Sequence, residues 1–245
     1  MVSDVAARPR MPAERLFYLS MIAALWVSVL LGFSPSFFLR PLFPLAHSPP
    51  EAWFYVHGAV FTAWLALLAV QAGLVAGGNT AMHRRLGVAG FIFIPVMVVL
   101  ATVGGLIAAR RPGGFIDIPV PPLQFLTVPL AGITVFAILA GLALVLRRRP
   151  QAHKRLMLIA TITLVEAAIA RWPFDYVSGS PNAPFWTACA FLIPLALWDA
   201  RTSRGLHPAT VWGGLLLVAS GPLRDMAAGT TTWLDFAKWA VGLLG

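Results

Sequence analysis

Seven apolar runs dominate this sequence, and they constrain its fold more than any other feature does. They are between 14 and 26 residues long, and each ends at charged residues or at a cluster of Pro and Gly. A helix needs about 20 mostly apolar residues to cross the hydrocarbon core of a bilayer. The runs are Leu16–Phe33, Ala52–Gly77, Leu86–Ala109, Leu123–Leu146, His153–Trp172, Asn182–Trp198 and Pro208–Gly221.

Composition supports a membrane protein, because 59% of the residues are hydrophobic and only 11% are charged. We therefore predict an all-α fold, a polytopic transmembrane helix bundle with about seven spanning helices, within a range of six to eight. Residues 1–15 form a cytoplasmic N-terminal segment, 16–223 the bundle, and 230–245 an amphipathic or interfacial C-terminal helix whose aromatic residues lie at the headgroup layer. The polar Met1–Glu14 segment predicts a first helix that is retained and not cleaved as a signal peptide.

The distribution of Lys and Arg predicts the orientation, because cytoplasmic loops hold the excess of these residues. With the N-terminus inside the cell, twelve of the 18 basic residues are inside and six are outside or at the outer boundary. The inside set is Arg8, Arg10, Arg15, Arg84, Arg85, Arg147, Arg148, Arg149, Lys154, Arg155, Arg201 and Arg204. This split predicts a multi-pass protein of the cell inner (cytoplasmic) membrane with a cytoplasmic N-terminus.

The net charge of +9 also bears on partners. The basic residues are spread over loops between apolar helices, which argues against nucleic acid as a partner. Anionic lipids of the inner leaflet explain the charge better. We find no P-loop, Gly-x-Ser-x-Gly elbow, His-Glu-x-x-His motif or dinucleotide fingerprint, so hydrolytic and nucleotide-driven activities lose support. The single cysteine, Cys189, cannot form an intramolecular disulfide.

Three histidines, His83, His153 and His207, each precede an apolar run in a basic turn, and all three are predicted on the cytoplasmic side. Neutral imidazole binds haem iron, zinc and copper, so these histidines are candidate cofactor ligands. A fourth candidate, His57, lies inside the second run on the same helical face as Gln71. The alternative is that the three turns are positive-inside loops that happen to contain a histidine, and that His57 only hydrogen-bonds a neighbouring helix.

Glu166 lies near the middle of the fifth run, where a charged side chain costs a few kcal/mol unless it is paired or faces a cavity. We predict an interhelical partner such as His57. With Arg171, and with Asp175 and Tyr176 beside it, these residues would form an outer polar pocket in which Glu166 and Arg171 are the candidate catalytic groups. The alternative is a protonated carboxyl that only donates a hydrogen bond.

The basic turns also carry a resemblance. Residues 83–87 read His-Arg-Arg-Leu-Gly and residues 153–157 read His-Lys-Arg-Leu-Met, which resembles a group of bacterial multi-pass membrane proteins over most of the chain. More distantly, the pattern resembles b-type cytochromes and ferric-reductase-like membrane domains. That resemblance implies haem b, or another histidine-ligated metal, held between helices by histidine pairs and carrying electrons across the membrane. Such cytochromes place paired ligands within facing helices, whereas here only His57 is clearly intramembrane.

Three classes of function follow from these observations. The first is a haem- or metal-binding redox protein that uses His57, His83, His153 and His207 as ligands, with Glu166 handling protons and a quinone as a partner. The second is a small proton-coupled transporter or channel in which His57, Gln71 and Glu166 line a path. The third is a non-catalytic scaffold subunit of a membrane complex.

Overall fold

A computed structural model describes residues 12–43, 51–116, 118–178, 180–203 and 205–244 of the chain. Helices account for 82% of it, and the described residues contain no β-strand. The helices are α1 (Ala13–Phe33), α2 (Ala52–Ala76), α3 (Thr80–Leu86), α4 (Ala89–Arg110), α5 (Pro122–Phe125), α6 (Thr127–Val145), α7 (Pro150–Ile169), α8 (Asp175–Ser178), α9 (Ala183–Ala190), α10 (Leu192–Thr202), α11 (Pro208–Ala228) and α12 (Thr231–Gly242). A π-helical turn at Ser34–Phe38 extends α1.

Five helical stretches are long and apolar enough to cross a membrane, so the chain has the features of a multi-pass membrane protein. They are Ala13–Phe38, Ala52–Ala76, Thr80–Arg110, Pro122–Val145 and Ala183–Thr202. The predicted number of about seven is not reached on this criterion. The other two predicted runs do form the helices α7 and α11, but each has too many charged residues or too low a hydropathy to meet this criterion.

Helix α7 is the centre of the bundle. Twelve of its 20 residues are buried, whereas α2 buries only Trp64 and Leu65. Helices α1, α6, α9 and α11 pack around α7. The approach of α1 is so close that a Cβ atom built on Gly32 would lie 2.0 Å from the carbonyl oxygen of Ala168 in α7. Only glycine permits this contact, because any side chain would overlap the α7 backbone.

Proline explains the shape of the sixth run and leaves the seventh intact. The sixth run is divided into α9 and α10 at Phe191, because Pro194 has no N–H to donate to the carbonyl of Ala190. The seventh run does not end at Gly221 as its sequence suggested. Helix α11 continues through Pro222 to Ala228, and this extension brings Arg224 into the bundle.

The predicted C-terminal helix is present as α12 and packs across one end of the bundle. Its Trp233 Nε1 donates to the carbonyl oxygen of Leu123 at 2.7 Å, and Arg110 Nη1 donates to the carbonyl oxygen of Leu244 at 2.8 Å. Phe236 and Trp239 remain exposed on the opposite side of α12. The helix therefore buries one face and presents an aromatic face outward, which suits an interfacial position.

Candidate functional site

Two of the four candidate histidines, His83 in the last turn of α3 and His153 in the first turn of α7, meet at one end of the bundle. Their ring centroids are 6.3 Å apart, and the ring planes are inclined at 83°. Both side chains are half-buried. The two residues are 70 positions apart in the sequence, so it is the packing of these helix ends that makes them a pair.

Hydrogen bonding leaves each ring of this pair with a nitrogen available to a ligand. His153 Nδ1 lies 2.8 Å from the carbonyl oxygen of Ala143. A carbonyl oxygen can only accept a hydrogen bond, so Nδ1 carries the ring proton and Nε2 carries the lone pair. His83 Nδ1 is buried and has no hydrogen-bond partner among the described residues. In metal sites, a hydrogen bond from one imidazole nitrogen to a carbonyl commonly fixes the orientation of the ring, while the other nitrogen binds the metal.

Gln71 of α2 lies near Gly87, the residue that follows α3. Its Nε2 atom is 3.5 Å from the position of a Cβ atom built on Gly87, the residue whose N–H donates to the carbonyl oxygen of His83 at 2.8 Å. The amide oxygen of Gln71 is buried and has no hydrogen-bond partner in the described part of the chain. Two buried polar atoms, Gln71 Oε1 of α2 and His83 Nδ1 of α3, therefore lack a hydrogen-bond partner among the described residues.

The remaining two candidate histidines lie elsewhere. His57 stacks on Phe61 one turn along α2, with ring centroids 4.1 Å apart, and its Nδ1 is buried without a partner among the described residues. His207 caps α11, where its Nδ1 accepts from the N–H of Ala209 at 3.1 Å. Within the described residues, no three His, Cys, Asp or Glu side chains come together as a metal site. The four histidines thus do not converge on one centre.

Glu166 has an interhelical partner, but that partner is Arg224 of α11 and not His57. Arg224 Nη1 and Nη2 donate to the two carboxylate oxygens of Glu166 at 2.8 and 2.5 Å. The side chains are 4% and 15% exposed for Arg224 and Glu166, respectively. The guanidinium also lies over the ring of Phe185, 4.6 Å from its centroid. A bidentate pair of this kind is well suited to hold two charges inside the bundle.

Arg171 does not take part in that pair. Its Nη1 donates to the carbonyl oxygen of Ala167 at 2.6 Å, and its guanidinium lies over the ring of Phe33 at 4.9 Å. It therefore sits at the end of α7 against α1. The predicted outer pocket that joins His57, Glu166 and Arg171 is not assembled around the Glu166 carboxylate.

A second buried ion pair, between Arg155 of α7 and Asp199 of α10, was not predicted. Arg155 Nε and Nη2 donate to the same carboxylate oxygen of Asp199 at 3.0 and 2.5 Å. The other oxygen accepts from Thr210 Oγ1 at 2.6 Å and from the backbone N–H of His207 at 3.1 Å. The side chains are 2% and 0% exposed for Arg155 and Asp199. This network joins α7, α10 and the start of α11.

The Arg155–Asp199 pair also sets the environment of His207. Burial lowers the pKa of the His207 imidazole below its ordinary value, and the charge of Arg155 lowers the pKa further while Asp199 opposes the shift. A neutral ring is what the cap requires, because Nδ1 must keep its lone pair to accept the N–H of Ala209. The geometry therefore gives His207 a structural role at the α11 N-terminus.

Sequence reasoning missed Arg155 and Arg224 because the partners lie 44 and 58 residues away along the chain. The available signal was charge balance, since two acids and two bases lie in or next to apolar runs and each needs a partner in the bilayer. Comparison with known proteins adds no family assignment, because no protein-family model, curated protein or solved structure matches the chain.

Proposed function

We propose that this chain is a membrane redox protein that binds a transition metal, as a bare ion or as haem iron, through His83 and His153. The observation that carries the proposal is the contact between the two imidazoles, with ring centroids 6.3 Å apart. Imidazole is a preferred ligand of iron, copper and zinc. The orphaned Nδ1 of His83 and the carbonyl-supported ring of His153 supply the nitrogens.

The spacing of the rings suits ligation of one metal ion. A ligating imidazole nitrogen lies about 2.0–2.1 Å from the metal, so two rings on opposite sides of one ion have centroids about 6 Å apart. Each ring plane needs only to contain its own metal–nitrogen bond, so an inclination of 83° is compatible with this arrangement. A bare ion would need space only for itself between the two rings. Haem would in addition need the ends of α3 and α7 to separate around the macrocycle.

The proposal includes seven spanning helices, with α7 and α11 added to the five apolar stretches. At 20 and 21 residues, these two helices are about 30 Å long and match the hydrocarbon thickness. Their most buried charges, Arg155, Glu166 and Arg224, have partners within the bundle and do not face lipid. The excess of basic residues at the His83 and His153 turns supports a cytoplasmic N-terminus in the cell inner membrane.

The other candidate residues lie apart from the histidine pair. Glu166 is the proposed proton-handling carboxyl, and Arg171 its accessory group near the opposite membrane surface. His57 and His207, which the sequence also offers as ligands, are not part of the proposed centre, because His57 stacks on Phe61 and His207 caps α11. A quinone in the bilayer is the proposed electron-exchange partner, and anionic lipids of the inner leaflet are the proposed environment of the site.

Titration of the purified protein tests the proposal. Haem binding would be followed by the Soret absorption, and Zn²⁺ or Cu⁺ binding by a competing chelator under reducing conditions. We expect one of these ligands to bind with one equivalent per chain, and His83→Ala or His153→Ala to weaken it at least about tenfold. His207→Asn is the matched control, because asparagine preserves the helix cap and the residue is outside the pair. Equal affinity in all variants would contradict the proposal.

Proton-coupled transport is the second candidate, and the Glu166–Arg224 pair is the observation that favours it. Charged pairs inside spanning helices often mark the path of an ion or proton. Proteoliposomes loaded with a pH-sensitive dye would report proton flux, and Glu166→Gln should abolish it if this candidate is correct. Protein that binds no metal or haem and carries no flux would support the third class, a scaffold subunit.

A further inference from the structure

The contact between His83 and His153 also joins two basic turns into one surface. Arg84 and Arg85 follow His83 in the last turn of α3, and Arg147, Arg148 and Arg149 form the turn that leads into α7. The guanidinium of Arg147 reaches across to the ring of Phe91 in the first turn of α4, 5.7 Å from its centroid. We call these five arginines the arginine surface.

The arginine surface has no counter-charge within the described chain. All five side chains are exposed, and none of them has an ion pair with an acidic residue among the described residues. The carboxylate of Glu14 at this end of the bundle is bound by Lys154, and that of Asp199 by Arg155. Five exposed positive charges without a counter-charge create a positive potential at this end of the bundle, which attracts an external anion.

Arginine is suited to one kind of anion in particular. The guanidinium is planar and can donate two parallel hydrogen bonds to a phosphate, and it is weakly hydrated at a membrane interface. Basic pockets between membrane helices on the cytoplasmic side bind phosphate head groups. The surface lies at the ends of α3, α4, α6 and α7, where a head group would be if these helices span the bilayer. A free phosphate would have to compete with those of the lipids already at that depth.

We propose that the arginine surface binds the head group of an anionic lipid that carries two phosphates. One phosphate lies against the α3 turn with Arg84 and Arg85, and the other against Arg147–Arg149. The proposal rests on the geometry of the turns and does not need metal at the histidine pair. The bound lipid belongs to the cytoplasmic leaflet if the proposed orientation is correct.

The test measures lipid retained by the protein. Protein in detergent would be titrated with a diphosphatidylglycerol-type lipid, and the bound fraction measured by native mass spectrometry. Each arginine near an anionic head group contributes about fivefold in affinity, so Arg84→Gln with Arg85→Gln should weaken binding about 25-fold. Lys replacements at the same two positions keep the charge and should weaken it less. Arg110→Gln with Arg111→Gln, at the other end of α4, is the matched control and should leave binding unchanged.

The remaining outcomes are also informative. The Lys variants keep the topological charge, so they test the proposal even if the Gln variants do not fold. Equal retention by wild type and both Arg84/Arg85 variants would overturn the proposal, and so would equal losses in the Arg110/Arg111 control. Displacement of the lipid by an equal concentration of inorganic pyrophosphate would assign the arginine surface to a soluble anion and overturn the proposal of a lipid ligand. Wild-type protein that binds the lipid but binds neither metal nor haem would overturn only the proposed function.

Discussion

The ion pair between Glu166 and Arg224 gives the sharpest test of how this bundle is held together. Both side chains lie between α7 and α11, and two hydrogen bonds of 2.8 and 2.5 Å join them. Glu166→Ala removes both acceptors and leaves the buried guanidinium with the more distant carboxylate of Asp225, which lies 3.8 Å from Arg224 Nε. Arg224→Ala does the reverse, and Glu166→Leu with Arg224→Met replaces the pair by apolar side chains of similar volume.

The size of the effect follows from burial. Removal of one member of a buried ion pair costs about 3–5 kcal/mol, because the other charge is left without compensation. One kcal/mol corresponds to about 2–4 °C in Tm for a chain of this size, so each single alanine variant should lose about 6–20 °C. The apolar double variant should lie within a few degrees of the wild type or above it. Glu166→Gln keeps an acceptor and should be milder than Glu166→Lys, which places two positive charges together.

The assay is thermal unfolding in detergent, followed by size-exclusion chromatography with fluorescence detection. The exposed pair of Lys238 and Asp235 is the matched control, with side chains 66% and 76% exposed. Asp235→Ala should change the free energy of unfolding by no more than about 1 kcal/mol. Equal stability of Glu166→Ala, Glu166→Lys and the wild type, or losses that add in the double variant, would refute a buried and mutually dependent pair.

Three further predictions concern other parts of the chain. The folded-state pKa of His207 is lowered, so its neutral form stabilises the fold above about pH 6.5, and this stability is lost as the pH falls through the folded pKa. The fall in Tm between pH 7.5 and pH 5 should therefore be smaller in His207→Asn than in the wild type. Identical pH profiles of Tm in the two proteins would contradict this prediction. Gly32→Ala should destabilise by about 1–3 kcal/mol or more because of the overlap with Ala168, whereas Gly73→Ala, with nothing within 4 Å, should be neutral or stabilising in the same unfolding assay. A cysteine at Arg84 should react with an impermeant thiol reagent only from the cytoplasmic side; reaction only from outside would reverse the topology.

Much of the fold could be predicted from the sequence because hydrophobic length alone specifies where a membrane helix forms. Each of the seven apolar runs contains a helix, and the ends differ by a few residues in most. The exceptions are instructive. Pro194 interrupts the sixth run, whereas α11 continues through Pro222 to Ala228, seven residues beyond the predicted end of the run at Gly221. The missed extension of α11 hid the partner of Glu166.

The site was predictable only in its residue types. Basic turns identified His83 and His153, but their contact depends on how the ends of α3 and α7 pack. The same turns made His207 a candidate ligand as well, and in the structure its imidazole instead caps α11. Pairing of Arg155 with Asp199 requires α7 and α10 to be neighbours. Such contacts between distant positions follow from tertiary packing, which a periodicity in the chain does not encode.

If His83 and His153 bind a metal, as we propose, protein taken directly from the membrane should already contain it. Protein expressed with ample iron and a haem precursor would be purified in detergent, and its absorption spectrum, haem and metal content measured per chain. We expect close to one haem or one metal ion per chain. This ligand should be absent from the variant in which His83 and His153 are both alanine, and it should be present in His207→Asn. Colourless wild-type protein without stoichiometric metal, or equal content in the double variant, would contradict it.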